Sequence, residues 1–337
     1  MTPGFRTRVA TAVLALAFSA PLACQTSFFA DYVAALDDHG QAGGGIFTPT
    51  NALGAPNGGS NVCSLGNEGW LTLGFNVPIT DGPGADLIVS ENPFQSSGGF
   101  WLSYAEMCFV EVSSNGTDFV RFPSRYYGAP VQPGAFGFVP VGTYSGLAGQ
   151  TPVLATTPGV DPRDVASAGG DAFDLADLQN EPLVQNGTVQ LNAISQVRLV
   201  DVLSGASTDS TGTAIFDPGT GSADIDAVTA IHQQGFVPVG NPSVALDVQP
   251  DGTMTLRIED PDGWQDLDPQ SLRAALFGLP VDAFGLLQSF FVQSVDATGF
   301  TLVQPFPLPP ELLFTISLSL KDAAGNRSGQ ARTRPGS

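Results

Sequence analysis

The stretch Ala105–Pro123, AEMCFVEVSSNGTDFVRFP, decides the fold, because two short apolar segments flank a tight turn within it. The segments Met107–Ser113 and Phe119–Phe122 have the length and composition of β-strands. Between them, Asn115-Gly116 tolerates the positive φ angles that a tight hairpin turn requires. The stretch therefore predicts an antiparallel β-hairpin.

The same pattern continues outward along the chain. Short apolar runs recur, each closed by Gly, Pro, Asn or Asp, and helical periodicity is nearly absent, which predicts an all-β sandwich or barrel. One short helix is predicted at Ser27–Leu36. The Gly- and Pro-rich stretch Tyr126–Gly170 is predicted to be mainly loop. Further strands are predicted at Trp70–Phe75, Asp86–Ser90, Gln196–Val202 and Ile225–His232.

A domain boundary is predicted at Gln234–Pro242, where the sequence QGFVPVGNP places two prolines and two glycines after the last strand of the first unit. Beyond the boundary, pairs of apolar runs are joined by Asp-Gly or Thr-Gly turns over about 95 residues, which fits one immunoglobulin-like sandwich. The predicted domains are therefore residues 25–236 and residues 241–337.

The first 24 residues have the order of an export signal. Arg6 and Arg8 precede an apolar run, Val9–Phe18, and small residues follow it. The run is shorter than the ~20 apolar residues that a membrane span needs. We therefore predict export, and with it a secreted or cell-surface location without a transmembrane span.

Cys24 follows Pro-Leu-Ala, which resembles the lipobox of bacterial lipoproteins, in which the cysteine is acylated after cleavage. The leucine that usually lies three places before the cysteine is replaced here by Pro21. Ordinary cleavage near Ser19 or Ala23 is the alternative. A lipid anchor at Cys24 and free secretion therefore both stay open.

The net charge of the chain limits the classes of molecule that it can bind. The chain has 32 acidic and 12 basic residues, a formal net charge of −20, and removal of Arg6 and Arg8 with the signal makes it −22. Such a surface repels phosphate backbones and anionic membranes, so nucleic acid and anionic lipid are excluded as partners. The same carboxylates can supply oxygen ligands to hard cations.

Two cysteines, Cys63 and Cys108, remain when Cys24 is assigned to the signal or to a lipid. Both lie in strand-like segments, NVCSL and EMCFVEV. An even pair of cysteines in an exported chain is typical of a disulfide. We predict a Cys63–Cys108 disulfide, with two buried thiols as the alternative.

Three acidic clusters contain the ligands that calcium prefers, since Ca²⁺ takes roughly six to eight oxygens from carboxylates and carbonyls, and turns before strands supply both. Asp224 and Asp226 alternate along a predicted strand and therefore point to one face. Alternatively, each Asp makes an Asx turn, a usual role for Asp beside Gly. The predicted metal ligands are Asp81, Asp86, Glu91 and Asn92 in the first cluster, Asp171 and Asp174 (with Asp177 nearby) in the second, and Asp217, Asp224 and Asp226 in the third.

Aromatic residues beside glycine-rich turns are candidates for a ligand surface, because exposed rings stack on sugars. Trp101 and Tyr104 follow the sequence SSGG and precede a strand, and Tyr126 and Tyr127 open the long loop. The alternative is that these rings fill the core, which is common for aromatic residues.

The sequence offers little for catalysis. It has two histidines, His39 and His232, and no G-x-S-x-G segment, so a serine-hydrolase triad and a zinc site are both disfavoured. A glycosidase needs two carboxylates across one cleft, for which Glu91, Glu106 and Glu111 are the candidates. Glu106 and Glu111 differ in parity and would face opposite sides of a regular strand.

Seven segments in order resemble a group of bacterial exported proteins known mainly as cell-surface proteins, some with a C-terminal sorting signal. The resemblance implies a jelly-roll sandwich of the galactose-binding type, often with a structural calcium, so that the expected fold is a jelly-roll-type β-sandwich followed by the immunoglobulin-like one. Relatives tend to have Gly-Phe-Asp-Leu-Asp where this chain has Ala223–Asp226. The matching segments are Ala52–Gly59, Val62–Phe75, Gly82–Phe94, Ala105–Pro123, Phe173–Leu178, Val197–Val202 and Ala223–Val228.

These observations predict a noncatalytic extracytoplasmic binding or adhesion module, stabilised by Ca²⁺, that recognises a glycan or a cell-surface protein. One alternative is a polysaccharide hydrolase that uses paired carboxylates. The other is a structural component of a surface layer, which self-association would distinguish.

Overall fold

The computed structural model describes residues 27–37, 48–96, 99–140, 142–235, 241–309, 312 and 314–333, with residues 96 and 99–101 described by their backbone only. The predicted export signal, including Cys24, lies outside the described residues. Strands dominate the rest and form antiparallel sheets, so the all-β sandwich prediction is confirmed. Helical structure among the described residues is short: α1 (Pro182–Gln185), α2 (Ala283–Leu287) and 3₁₀ turns at Pro49–Ala52, Leu175–Leu178, Leu191–Ala193 and Trp264–Asp266.

The first sandwich consists of two sheets, with β1-β3-β14-β7-β12 facing β13-β4-β15-β2, and β8 paired to β7. Two smaller sheets, β10-β6-β5 and β11-β9, lie beside them. The strands are β1 (Tyr32–Asp37), β2 (Cys63–Ser64), β3 (Trp70–Ile79), β4 (Leu87–Glu91), β5 (Phe94–Ser96), β6 (Gly99–Tyr104), β7 (Cys108–Ser113), β8 (Val120–Arg121), β9 (Arg125–Tyr126), β10 (Val139–Pro140), β11 (Tyr144–Ser145), β12 (Leu147–Ala148), β13 (Asp171–Phe173), β14 (Ile194–Asp201) and β15 (Asp224–Ala230).

The core of the first sandwich lies between the two sheets, where apolar side chains from both inner faces meet, among them Leu73 of β3 and Val89 of β4. Strands β4 and β7 are buried along their whole length because further segments cover their outer faces. Phe109 on β7 packs with Tyr144 from the long loop, and Ile88 on β4 packs with Val165. The long loop is therefore ordered by packing against the sandwich.

The hairpin predicted from Ala105–Pro123 is present. Glu111 and Val112 of β7 pair with Arg121 and Val120 of β8, and Gly116 in the turn has φ = 75°. Asn115 Oδ1 accepts the backbone N–H groups of Thr117 and Asp118, at 2.9 Å each, which fixes the turn.

The helix predicted at Ser27–Leu36 is wrong, because the second half of this segment forms the edge strand β1. Strand β1 pairs with β3, with Tyr32 opposite Gly74 and Leu36 opposite Leu71. Asp31 Oδ2 accepts the backbone N–H of Asn76 at 2.7 Å and anchors the start of the strand. The backbone partners that β3 offers override the weak local preference for a helix.

The predicted Cys63–Cys108 disulfide is not formed. Cys63 lies on β2 and Cys108 on β7, in the two opposing sheets, and both side chains are buried thiols within the same apolar core. Burial raises the pKa of the Cys108 thiol well above its ordinary value, and the nearby carboxylates of Glu91 and Asp201 raise it further. The Cys108 thiol therefore stays protonated and acts as a small core residue.

The second sandwich has two four-stranded sheets, β16-β17-β21-β20 and β19-β18-β22-β23, around an apolar core that includes Leu256 and Ile316. No strand of one sandwich joins a sheet of the other among the described residues. The strands are β16 (Ser243–Val248), β17 (Met254–Glu259), β18 (Leu267–Leu276), β19 (Leu279–Val281), β20 (Phe291–Val295), β21 (Gly299–Gln304), β22 (Thr315–Asp322) and β23 (Arg327–Thr333).

Strand β23 docks the second sandwich onto the first. Ser328 Oγ donates to the carbonyl of Pro83 at 2.8 Å, and the N–H of Ala85 donates to the carbonyl of Gly329 at 2.9 Å. Gly84 between them has φ = 82°, and a Cβ there would lie 2.4 Å from the Gly329 carbonyl oxygen. Only glycine fits such a backbone contact, so Gly84 allows the backbones of the two sandwiches to approach each other closely at this point.

Candidate functional site

An open cleft of about 500 Å³ on the first sandwich gathers aromatic rings from strands and loops that are distant in sequence. Phe94 of β5 is the cross-strand partner of Tyr104 on β6, which brings the ring centroids to 6.1 Å. Phe136 and Phe138 come from the loop before β10, whose Val139 pairs with Ser103. The small sheet β10-β6-β5 therefore positions the cleft.

Tyr104 is the central ring of the cleft. Its centroid lies 6.2 Å from that of Phe136 and 6.4 Å from that of Phe138, and the planes of Phe94 and Phe136 are tilted from its own by 31° and 33°. Phe94 is 57% exposed and Phe136 is 78% exposed. An exposed group of large apolar rings is uncommon on a monomeric surface and marks a binding site.

Glu106 lines the same cleft and contacts the Tyr104 hydroxyl. The Tyr104 hydroxyl donates to the Thr220 carbonyl at 2.7 Å and also lies 3.0 Å from Glu106 Oε1. One hydroxyl hydrogen cannot serve two acceptors fully, and the conflict disappears when Glu106 is protonated. Burial, together with Asp224, Asp201 and Asp217, raises the Glu106 pKa to about 8, despite the lowering effect of Tyr104. At neutral pH Glu106 is thus mainly a neutral acid that can donate and accept.

The loop before β15 closes one side of the cleft. Gly221 has φ = 94°, and a Cβ there would lie 1.8 Å from Glu106 Oε1, so this glycine makes room for the carboxyl group. Thr220 Oγ1 donates to the carbonyl of Ala135 and thereby ties this loop to the loop that carries Phe136.

A layer of acidic groups lies behind the cleft, in which burial and mutual repulsion raise the pKa values. The pKa rises to about 7 for Asp201, where burial and then Asp217 and Asp224 raise it, and to about 7 for Asp217, mainly by burial. Burial, with repulsion from Glu106, Asp224 and Asp171, raises the Glu91 pKa well above its ordinary value. This layer behind the cleft therefore holds protons at neutral pH that exposed carboxylates would lose.

Most of the predicted metal ligands bind backbone N–H groups instead of facing one another. Asp226 accepts from Asn57 at 3.1 Å and from Gly58 at 2.9 Å. Asp171 Oδ2 accepts from Gly149 at 2.8 Å and from Gln150 at 3.0 Å. These aspartates therefore brace loops that are distant in sequence, and these contacts are not the local Asx turns that the sequence offered as the alternative.

The other predicted ligands, in the third cluster and at the end of β4, also form hydrogen bonds with protein groups. Asp217 Oδ2 accepts from Met107 at 3.2 Å, Glu91 Oε1 accepts from the N–H of Asp224 at 2.9 Å, and Asp224 itself accepts from Ser64 Oγ. Asn92 Nδ2 donates to the Gly59 carbonyl at 2.7 Å.

Asp81, Asp86 and Asp174 are the predicted ligands that the fold brings together, with one oxygen of each within 4.8 Å of the others. Protein donors already contact Asp86 and Asp174. Asp86 accepts from Gly82 and Leu175, at 2.7 Å each, and its Oδ1 lies 2.8 Å from His232 Nδ1. Asp174 Oδ1 accepts from Ala176, and its Oδ2 accepts from Gln330 Nε2 and faces Arg332. The group lies where the two sandwiches meet, since Gln330 and Arg332 of the second sandwich contact Asp174 of the first.

The predicted aromatic ligand residues separate into different environments. Tyr104 lies in the cleft, but Tyr126 is buried, with its ring 5.5 Å from Tyr144 and its hydroxyl donating to Ala129, so it is a core residue. Tyr127 is half-buried next to that core, and the Trp101 side chain lies outside the described residues. Phe136 and Phe138 were not among the predicted ligand residues, and their signal in the sequence is two phenylalanines spaced by glycine within a Gly- and Pro-rich loop.

The three glutamates considered for catalysis do not share a cleft. Glu111 accepts from Arg121 at 2.7 Å and from Arg198 at 3.3 Å on the face of the larger sheet. Glu91 is 2% exposed and lies behind the cleft. Among the described residues that line the cleft, only Glu106 carries a carboxyl group.

Comparison with known proteins adds no assignment: no protein-family model matches the chain, and no curated protein shows significant similarity to it. Within the described residues, every helix is too short or too polar to cross a membrane.

Proposed function

We propose that this protein is a noncatalytic, exported binding module that recognises a neutral glycan through the cleft around Tyr104. The observation that carries the proposal is the clustering of four aromatic rings, three of them strongly exposed, beside the carboxyl group of Glu106, whose pKa burial raises to about 8. Aromatic ring faces can pack on a sugar ring, and a neutral carboxyl group can form hydrogen bonds with its hydroxyl groups.

A sugar ring presents an apolar face of C–H groups and an equatorial rim of hydroxyl groups. The apolar face packs on aromatic rings, which offer large contact area at a small entropic cost. Glu106 and the carbonyl of Thr220 lie at the edge of the same surface and can exchange hydrogen bonds with the rim. Few polar groups beside aromatic walls are the usual composition of a small-molecule site.

Charge favours a neutral glycan over an acidic one. The whole chain has a formal net charge of −20 at pH 7. A sulfated or uronic acid-rich glycan would be repelled by this field.

The hydrolase alternative is less well supported, because glycosidases place two carboxylates across the scissile bond at separations of roughly 5–10 Å. The described lining of the cleft provides one, Glu106. Binding without hydrolysis therefore fits the residues better. Export and surface location, which the N-terminal 24 residues predict, place such a module where glycans are found.

The proposal can be tested by a glycan-array screen of residues 25–337, run with calcium and with chelator. Wild type should bind neutral glycans, and Phe94→Ala should lose at least about tenfold in affinity because stacking area is removed. Phe306→Ala is the matched control, since Phe306 is 56% exposed, nearly as much as Phe94, but lies on the second sandwich. Absence of binding to any glycan, or equal binding by both variants, would contradict the proposal.

A further inference from the structure

Three aspartates that no motif connects meet at one end of the second sandwich. Asp260 directly follows β17, Asp266 ends the 3₁₀ turn before β18, and Asp322 ends β22. One carboxylate oxygen from each lies within 4.8 Å of the other two. None of the three belongs to the clusters that the sequence singled out.

Backbone contacts explain why the three residues converge. The N–H of Asp260 donates to the Thr298 carbonyl at 2.8 Å, which holds the start of the β17–β18 connection against the neighbouring turn. The N–H of Ala323 donates to the Asp266 carbonyl at 2.8 Å, and Leu267 pairs with Asp322 across β18 and β22. The β17–β18 connection and the β22–β23 turn are therefore fixed next to each other.

The charge of this group is poorly compensated by the protein. Asp260 is fully buried, its Oδ1 accepts from the N–H of Asp262 at 2.9 Å, and its Oδ2 is buried without a hydrogen-bond partner among the residues that the structure describes. Asp322 is 4% exposed, and its carboxylate accepts from the backbone N–H and from Nδ2 of Asn326. In the described part of the chain, no arginine, lysine or histidine forms an ion pair with any of the three.

A buried carboxylate oxygen without a donor is costly, and nearby like charges increase the cost. Burial raises the pKa of Asp260, and Asp322, Asp266 and Asp262 raise it further. A cation between the three carboxylates would reverse all of these effects at once.

We propose that Asp260, Asp266 and Asp322 bind a hard divalent cation, Ca²⁺ in the exported protein. Ca–O distances of roughly 2.3–2.6 Å place two ligands of one ion at most about 5 Å apart, which the spacing of these oxygens satisfies. The ligand atoms are all oxygen, which favours calcium over zinc or copper. Water and backbone carbonyls of the two turns would complete the coordination.

The position of the site gives the ion a role in domain arrangement. The turn after Asp322 leads directly into β23, whose first residue, Arg327, pairs with Asp161 of the first sandwich. Calcium at this turn would therefore rigidify the hairpin that holds the two sandwiches together.

Terbium luminescence tests the site directly, because Trp264 lies between Asp260 and Asp266 in sequence and can transfer energy to a bound Tb³⁺ ion. Titration of residues 25–337 with Tb³⁺ should produce emission on tryptophan excitation, and Ca²⁺ should displace it. Trp264→Phe should lose the emission and keep calcium binding. In thermal unfolding, millimolar Ca²⁺ should raise the Tm of the second sandwich by roughly 5 °C relative to chelator.

Asp260→Asn should abolish both signals, and in chelator it should unfold at or above the wild-type temperature because a repulsive charge has been removed. Asp247→Asn, on an exposed position of β16, is the control that removes a charge elsewhere. Asp266→Asn, less buried than Asp260, serves if Asp260→Asn does not fold. No terbium emission with no calcium shift, or signals that persist in the folded aspartate variants, would overturn the proposal.

Discussion

The two sandwiches differ in how the protein compensates their converging carboxylates. In the first sandwich, Asp171 and Asp226 each accept several backbone N–H groups, and Asp174 faces an arginine. In the second sandwich, Asp260 keeps one oxygen buried without a donor beside two other carboxylates. Glu91 Oε2 and Asp217 Oδ1 of the first sandwich are also buried without a hydrogen-bond partner among the described residues. The second sandwich therefore differs in that such an oxygen belongs to a residue whose carboxylate lies within 4.8 Å of two others.

Exposed aromatic residues show a parallel difference. Phe94 and Phe306 are exposed to nearly the same degree, 57% and 56%. Phe94 belongs to a cleft that also contains Glu106, whereas Phe306 packs edge-on against Phe291, with centroids 5.9 Å apart. Exposure alone does not define a ligand site, since polar groups must also lie within reach.

The largest effect is expected at Gly221 in the cleft. Gly221→Ala should lower the free energy of unfolding by about 2–3 kcal/mol, because alanine would have to adopt a positive φ and its Cβ would displace the Glu106 carboxyl group. The same displacement should abolish glycan binding. Urea unfolding and glycan titration measure the two effects.

Gly212→Ala is the matched control for this prediction. Gly212 has φ = 84°, close to that of Gly221, but a Cβ there would have no atom within 4 Å. It should cost about 1 kcal/mol and leave binding intact. Equal losses of stability and of glycan binding in the two variants would show that the contact between residue 221 and Glu106 has no effect on either.

A smaller effect concerns pH, where the acids behind the cleft should make the first sandwich less stable as pH rises. The folded pKa is about 8 for Glu106 and about 7 for Asp201 and Asp217, against ordinary values of 4.5 and 3.8. Between these limits the folded state holds protons that the unfolded chain has released, so stability falls as pH rises. Calorimetry should show a Tm lower by about 5 °C at pH 8 than at pH 5.

Two observations sharpen the pH prediction. Burial lowers the His232 pKa to about 4, so this residue opposes the trend below its ordinary value of 6.5, and the decline should be clearest above that pH. Glu106→Gln should flatten part of the decline, because glutamine does not titrate. A Tm that rises from pH 6.5 to pH 8 would contradict the claim that Glu106 and the acids behind the cleft are protonated in the folded state.

Local chemistry allowed the strands to be predicted well. The hairpin at Ala105–Pro123 follows from Asn-Gly between apolar runs, and the strands at Trp70, Gln196 and Ile225 appear within a few residues of their predicted bounds. The segment Ser27–Leu36 failed because its conformation depends on the neighbouring edge of β3, which no local signal reveals.

The site was predicted only in part, since it depends on contacts between distant segments. Tyr104 was recognised, but its neighbours Phe136 and Phe138 reach it through the pairing of β10 with β6. Tyr126 was misassigned because sequence does not show which rings the long loop buries. The trio at Asp260 was missed because its members are 62 positions apart from first to last in the sequence, and adjacent turns bring them together.

The central claim, that the aromatic rings of the cleft contact a sugar face, is tested most directly by saturation-transfer difference NMR. The measurement uses the best array glycan with wild type, Phe94→Ala and Phe306→Ala, and selective irradiation of the protein aromatic protons. The account predicts saturation of C–H protons on one face of the sugar, strongly reduced in Phe94→Ala and unchanged in Phe306→Ala. Equal transfer in the two variants, or no transfer from the aromatic protons, would contradict it.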